Sequence, residues 1–147
     1  MTDRTYPDRP FLAVSAAIIK DGKVLLVRRA NPPMHGLYTF PGGVVEAGET
    51  LEEALHREID EETALQIKPA GIAGYRDVLI RDKDARLERH FVIICFASHW
   101  VSGEPRLNEE LHDFHWVTPA ELKGLPTTEG LGDIAEAAFA QLAQAAH

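Results

Sequence analysis

Eight carboxylates stand within the seventeen residues from Glu46 to Glu62, opposed by Arg57 alone. This segment carries seven of the eight units of net negative charge, so the rest of the chain is nearly neutral. Thr50-Leu-Glu-Glu53 has the form of a capping box, which predicts a helix over Leu51–Thr63. Projected at ~100° per residue, Leu51, Ala54, Leu55 and Ile59 make one apolar stripe. Glu58 and Glu62 fall inside that stripe, and Glu61 lies at its edge. His56, Arg57 and Asp60 lie on the outer face. A solvated face accounts for Glu52, Glu53 and Asp60. It does not account for Glu58 and Glu62, because an inward ionised carboxylate costs several kcal/mol unless compensated.

Carboxylates at i, i+3 and i+4 can converge on a cation. Their oxygens are the hard ligands that Mg²⁺ and Mn²⁺ prefer, and Mg²⁺ is commonly shared with substrate phosphates. The absence of Cys and His from that face argues against structural zinc. Gly42-Gly43 and Gly48 precede the helix and permit turns or close backbone approach.

The remaining chain reads as one domain over residues 1–147, with 45% apolar and 26% charged residues. That composition excludes a disulfide framework, a collagen-like repeat and a disordered chain. The apolar run Phe91–Ala97 is strand-sized, far short of the ~20 residues of a membrane span. Met1-Thr2-Asp3-Arg4 has no apolar leader core, and the single Cys95 fits a reducing cytoplasm. Cys95 reads as a packing residue of a buried strand. No basic footprint suggests nucleic acid. Sequence leaves a homodimer open.

Leu12–Lys20 and Lys23–Arg29 read as a hairpin about Asp21-Gly22. A loop is expected over Asn31–Gly36, an extended piece over Tyr38–Phe40 and a tight turn at Pro41-Gly42-Gly43. Strands are expected near Gly74–Arg81, Glu88–His99 and His112–Val117. A short helix starts after Thr118, and a last helix runs from Asp133 to about Gln144, with Asp133 and Glu136 as a capping pair.

Gly43-x5-Glu49-x7-Arg57-Glu58-Ile59-x-Glu61-Glu62-x-Ala64-Leu65 resembles the Nudix box. Every fixed position agrees except the last glycine, where this chain has Ala64. Pro41-Gly42-Gly43 and Trp116-Val-Thr-Pro-Ala-Glu-Leu122 resemble the family's flanking segments. The resemblance implies an α/β fold, an α/β/α sandwich with a mixed sheet between the box helix and a C-terminal helix. It also implies that Glu58, Glu61 and Glu62 are metal-binding carboxylates, joined by the carbonyl of Gly42. Arg57 and Glu49 resemble the pair that orients the box; the plainer reading of Arg57 is a helix-surface pair with Glu53 or Glu61. Glu110, six residues before Trp116, has the spacing of a further ligand or base in several members, against a solvated turn acid.

Family members hydrolyse a nucleoside diphosphate linked to another group, using Mg²⁺ or Mn²⁺ to neutralise charge and activate water. Glu61 or Glu110 is the implied base, and sequence leaves the choice open. Arg29 and Arg28 could meet a phosphate or could be a solvated strand end. Tyr38 and Phe40 could stack on a base or pack in the core. The partner expected is a small nucleotide substrate, with no nucleic acid and no membrane. General likeness is to short ADP-ribose pyrophosphatase-like members. The purine-reading Asn of the oxidised-dGTP hydrolases has no counterpart in Leu125-Pro-Thr-Thr-Glu129. A nucleoside triphosphate substrate and a non-catalytic nucleotide-binding module stay as alternatives. Of the seven histidines, His35, His90, His99, His112 and His115 share no metal-ligand spacing.

Overall fold

The computed structural model describes residues 4–30 and 36–145. The expected loop at Asn31–Gly36 and His35 therefore fall, apart from Gly36, outside the described residues. Strands β1 (Phe11–Lys20) and β2 (Lys23–Arg29) form the expected hairpin. Both turn residues, Asp21 and Gly22, have positive φ, +52° and +76°, as a two-residue primed turn requires.

The hairpin then forks. β1 and β2 pair only beside the turn, at Ile19–Val24 and Lys20–Lys23. The connector fills the gap: β3 (Tyr38–Thr39) pairs with β2, and β4 (Gly42–Val44) pairs with β1. The tight turn expected at Pro41-Gly42-Gly43 is thus corrected to a strand. The glycines serve close approach instead, since a β-carbon on Gly42 would strike the carbonyl of Val14.

Helix α1 (Leu51–Thr63) has the expected bounds, and both halves of its capping box are made between Thr50 and Glu53. It ends at Ala64, which is left-handed at φ +62°. β5 (Gln66–Arg81) and β6 (Leu87–Ser102) form a long antiparallel pair. β5 begins eight residues earlier than expected. Its added first half carries register shifts between Pro69 and Gly71 and between Ile72 and Gly74. β6 runs parallel to β1, which makes the sheet mixed. β7 (Leu111–Val117) pairs with β2, and α2 (Pro119–Leu122) follows with Thr118 and Glu121 as a full capping box. α3 (Leu131–Ala145) starts two residues before Asp133. Asp133 therefore lies within the first turn, and the expected cap with Glu136 is not made.

Alternation along the strands sends residues to two cores. Ala17, Val24, Leu26 and Ala97 pack under α3, through Leu131, Ile134 and Ala138. Val14, Ile18, Leu25 and Phe96 pack under α1, through Leu55 and Ile59. The result is the α/β/α sandwich expected from the resemblance. No helix among the described residues is long and apolar enough to cross a membrane.

Candidate active site

The box segment is tied together by Arg57. Its guanidinium donates to Glu49 at 2.7 and 2.9 Å, to Glu58 at 2.9 Å and to the carbonyl of Val44 at 3.1 Å. A longer contact of 3.4 Å reaches Glu61. Arg57 thereby joins three stretches: the end of β4, the loop before α1 and α1 itself. These contacts hold the Glu49 carboxyl at about 2 and keep Arg57 firmly protonated.

Glu62 is the most constrained of the acids. It is 2% exposed, and its Oε1 accepts the N–H of Gly42 at 3.0 Å. Burial raises its carboxyl to about 7 despite that bond and the field of Arg29. The Gly42 N–H is free to make this contact because of ladder phase. Gly43 faces Val14 in a bonded position of the β1–β4 pair, so the polar groups of Gly42 point away from β1. The Gly42 carbonyl points to the same side as its N–H. Burial likewise raises Glu58, against the pull of Arg57.

Glu58, Glu61, Glu62, Gly42, Arg29 and Glu110 line one cleft of about 580 Å³. Glu110 comes from the turn before β7, and its charge pushes both Glu58 and Glu62 upward. Among the described residues, no three acids or histidines are gathered closely enough to hold an ion as they stand. Arg57 holds one oxygen each of Glu58 and Glu61, and Gly42 holds one of Glu62. Among the described residues, each of these carboxylates keeps a second oxygen without a protein donor.

The NUDIX domain model matches residues 9–137. This chain belongs to the Nudix hydrolase family. It is 38% identical over 117 residues to an ADP-ribose pyrophosphatase of Methanocaldococcus jannaschii, covering 80% of this chain and 65% of that one. It is 36% identical over 116 residues to the nucleoside triphosphatase NudI of Escherichia coli, covering 74% and 82%. The crystal structure of a MutT Nudix hydrolase from Burkholderia pseudomallei superimposes with a TM-score of 0.76 at 30% identity, covering 88% of this chain and 98% of that one. The chain thus spans about two-thirds of the archaeal relative's length.

Not every residue singled out in this Nudix chain reaches the cleft. Arg28 pairs with Asp113 at 3.1 Å and sits over the ring of Tyr38, whose hydroxyl donates to the same carboxylate at 3.3 Å. Neither Arg28 nor Tyr38 lines the cleft, and Tyr38 is a core residue. Asp113 takes the polar groups of both. Phe40 also packs in the core but shows an edge to the cleft. Arg29, next along β2, faces it. Cys95 is buried, and its thiol is pushed up to about 11 by that burial. Sequence reading missed Arg76 and Arg89, which also line the cleft. The available signal was their two-residue alternation with Val78 on β5 and Phe91 on β6.

Proposed function

We propose that this Nudix protein hydrolyses the pyrophosphate linkage of a nucleoside diphosphate derivative in a divalent-metal-dependent reaction. The observation that carries this reading is Glu62: a carboxylate buried to 2% exposure yet lining an open cleft with Glu58, Glu61 and Glu110. A buried carboxylate with one amide donor lacks adequate compensation, and a dication supplies it. The donor set is all oxygen, which suits Mg²⁺, with Mn²⁺ as its substitute. Glu58, Glu61 and Glu62 would hold it with the Gly42 carbonyl, using the oxygens that Arg57 and Gly42 leave free; Glu110 is the further ligand. A bound dication neutralises the diphosphate and makes water a better nucleophile.

The chain's own residues do the rest. Water attacks one phosphorus, the bond to the bridging oxygen breaks, and the leaving phosphate departs with that oxygen. Glu61 or Glu110, the less enclosed acids, takes the water's proton. Arg29 donates to a phosphate oxygen. Glu49 fixes Arg57, and Arg57 positions Glu58 and Glu61. Phe40 supplies apolar wall to the cleft.

ADP-ribose, named for the archaeal relative, and nucleoside triphosphates, named for the bacterial one, are the substrates to compare first. Release of phosphate products from ADP-ribose, ordinary and oxidised triphosphates and dinucleoside polyphosphates tests the proposal, with Mg²⁺, Mn²⁺ or chelator. Hydrolysis is expected with metal and lost with chelator. Equal turnover in chelator would overturn the metal reading, and nucleotide binding without turnover would favour a non-catalytic module.

A further inference from the structure

The cleft has a second end, set by sheet register. Val44, Ala13, Ile93 and Arg76 lie directly opposite one another across β4, β1, β6 and β5. All four line the cleft. Three interstrand steps of ~4.8 Å put the Arg76 backbone roughly 14 Å from Val44, across an apolar floor. Val78 and Phe91 form the next pair along that floor. Ile134 of α3 stands over β5, close enough that a β-carbon on Gly74 would press it at 3.1 Å. The space between floor and Ile134 is bounded by apolar groups, which suits a flat ring better than a phosphate.

Arg76 stands at the end of that space. It is half-buried, and among the described residues its guanidinium makes no hydrogen bond and no salt bridge. Glu129 and, more weakly, Cys95 act on it through their fields, and burial weakens its hold on its proton. Among the described residues, the side chains of Arg29 and Arg89 also line the cleft without a hydrogen-bond or salt-bridge partner, but Arg76 is the one set at the end of the apolar floor. A partly dehydrated guanidinium without a partner is costly unless a ligand completes it.

We propose that Arg76 reads the nucleobase of the substrate and favours a base with two adjacent acceptors, guanine or cytosine, over adenine. This rests on the reading above that the acidic end of the cleft takes the diphosphate. A guanidinium has donors only, in a fixed fork. Guanine offers O6 and N7 side by side, and cytosine offers O2 and N3. Adenine sets its N6 amino donor beside both N1 and N7, and its N3 has no second acceptor next to it. Oxidation of guanine at C8 places a proton on N7 and removes one acceptor. Guanosine and cytidine nucleotides therefore stand ahead of ADP-ribose and of oxidised dGTP.

Calorimetric binding of the hydrolysis-resistant α,β-methylene analogues of GTP, CTP and ATP, and of tripolyphosphate, tests this in the presence of Mg²⁺. The natural chain is expected to bind a guanine or cytosine analogue about tenfold tighter than the adenine one. Arg76→Met should erase that preference and leave tripolyphosphate binding unchanged. Arg76→Lys keeps the charge without the fork and should also lose most of it. Metal-free Arg76→Met should melt at or above the natural temperature, because an unpaired half-buried cation has been removed. A lower melting temperature would mark a structural role and overturn the proposal. So would an unchanged base order in Arg76→Met, or an equal loss with tripolyphosphate, which would make Arg76 a phosphate contact. Intact tripolyphosphate binding with no base preference overturns this inference alone. Failure to bind tripolyphosphate and every analogue overturns it together with the reading of the acidic end. Base-selective binding without turnover of the natural nucleotides overturns only the hydrolase reading.

Discussion

A β-carbon on Gly43 would fall on the carboxylate of Glu58. The strand β4 and the helix α1 therefore meet at a point where any side chain on residue 43 would displace the Glu58 carboxylate. Gly43→Ala must swing Glu58 out of place, away from Arg57 and the cleft. Misplacement of a catalytic group by about 1 Å can cost ~10²-fold. A turnover loss of that order is expected, with circular dichroism close to that of the natural chain. Full activity in Gly43→Ala would mean that the position of Glu58 is not critical.

Glu62→Gln separates the site from the fold. The amide keeps the shape but is a poor ligand for a hard dication, so turnover should fall about 10²–10⁴-fold. Stabilisation by Mg²⁺ should shrink with it. Glu52→Gln, on the exposed face of α1, should change neither. Equal effects at the two positions would show that burial of Glu62 does not mark the metal site.

Titration of Glu62 gives the metal-free protein a pH signature. Its carboxyl is raised from 4.5 to about 7 on folding. Between those values the folded chain holds a proton that the unfolded chain has released, so stability falls as pH rises through this window. The loss attributable to Glu62 is about 3 kcal/mol at most. Glu58 adds in the same sense. Glu49 works oppositely on the acid side: held at about 2, it contributes stability that disappears as pH drops below 4.5. Urea denaturation in chelator at pH 5 and pH 7, for the natural chain and Glu62→Gln, isolates the effect. The difference between the two proteins should grow with pH in favour of the glutamine variant. Saturating Mg²⁺ should reverse it, since metal takes the ionised form.

Ala64→Gly tests backbone strain at the end of the box helix. Ala64 holds φ +62° and donates its N–H to the carbonyl of Asp60. An L-residue with a β-carbon pays roughly 1–2 kcal/mol there, partly offset by the greater chain entropy of an unfolded glycine. A net gain of about 1 kcal/mol is expected in metal-free denaturation, with turnover nearly unchanged. A destabilised glycine variant would show that Ala64 sits in this conformation without strain.

Local rules made α1 legible to the residue, because its capping box and its apolar stripe agree. The β1–β2 turn was legible for the same reason: Asp21-Gly22 tolerates positive φ at both positions. Longer-range causes were not. Gly42-Gly43 reads locally as a turn, and only the fork of the sheet makes it a strand pressed against Val14 and Glu58. The first half of β5 was not legible, because nothing local says that β6 will hold Pro69, Gly71 and Gly74 in register. Within the site, the acids of α1 were visible through helical periodicity. Arg76 was not, because its importance comes from being opposite Ile93 on a neighbouring strand. The contacts of Arg28 and Tyr38 with Asp113 were not legible, because Asp113 lies far along the chain.

The fork between β1 and β2 also bears on how such a chain can change over generations. α1 reaches the cleft through the connector that fills the fork, from one side of the sheet. The far floor and the overhanging Ile134 belong to β5, β6 and α3, on the other side. Substitutions on that second set of elements touch neither the Arg57 contacts nor the Gly42–Glu62 bond. Preference among substrates can therefore drift while the hydrolytic apparatus is inherited whole, and an engineer has the same freedom.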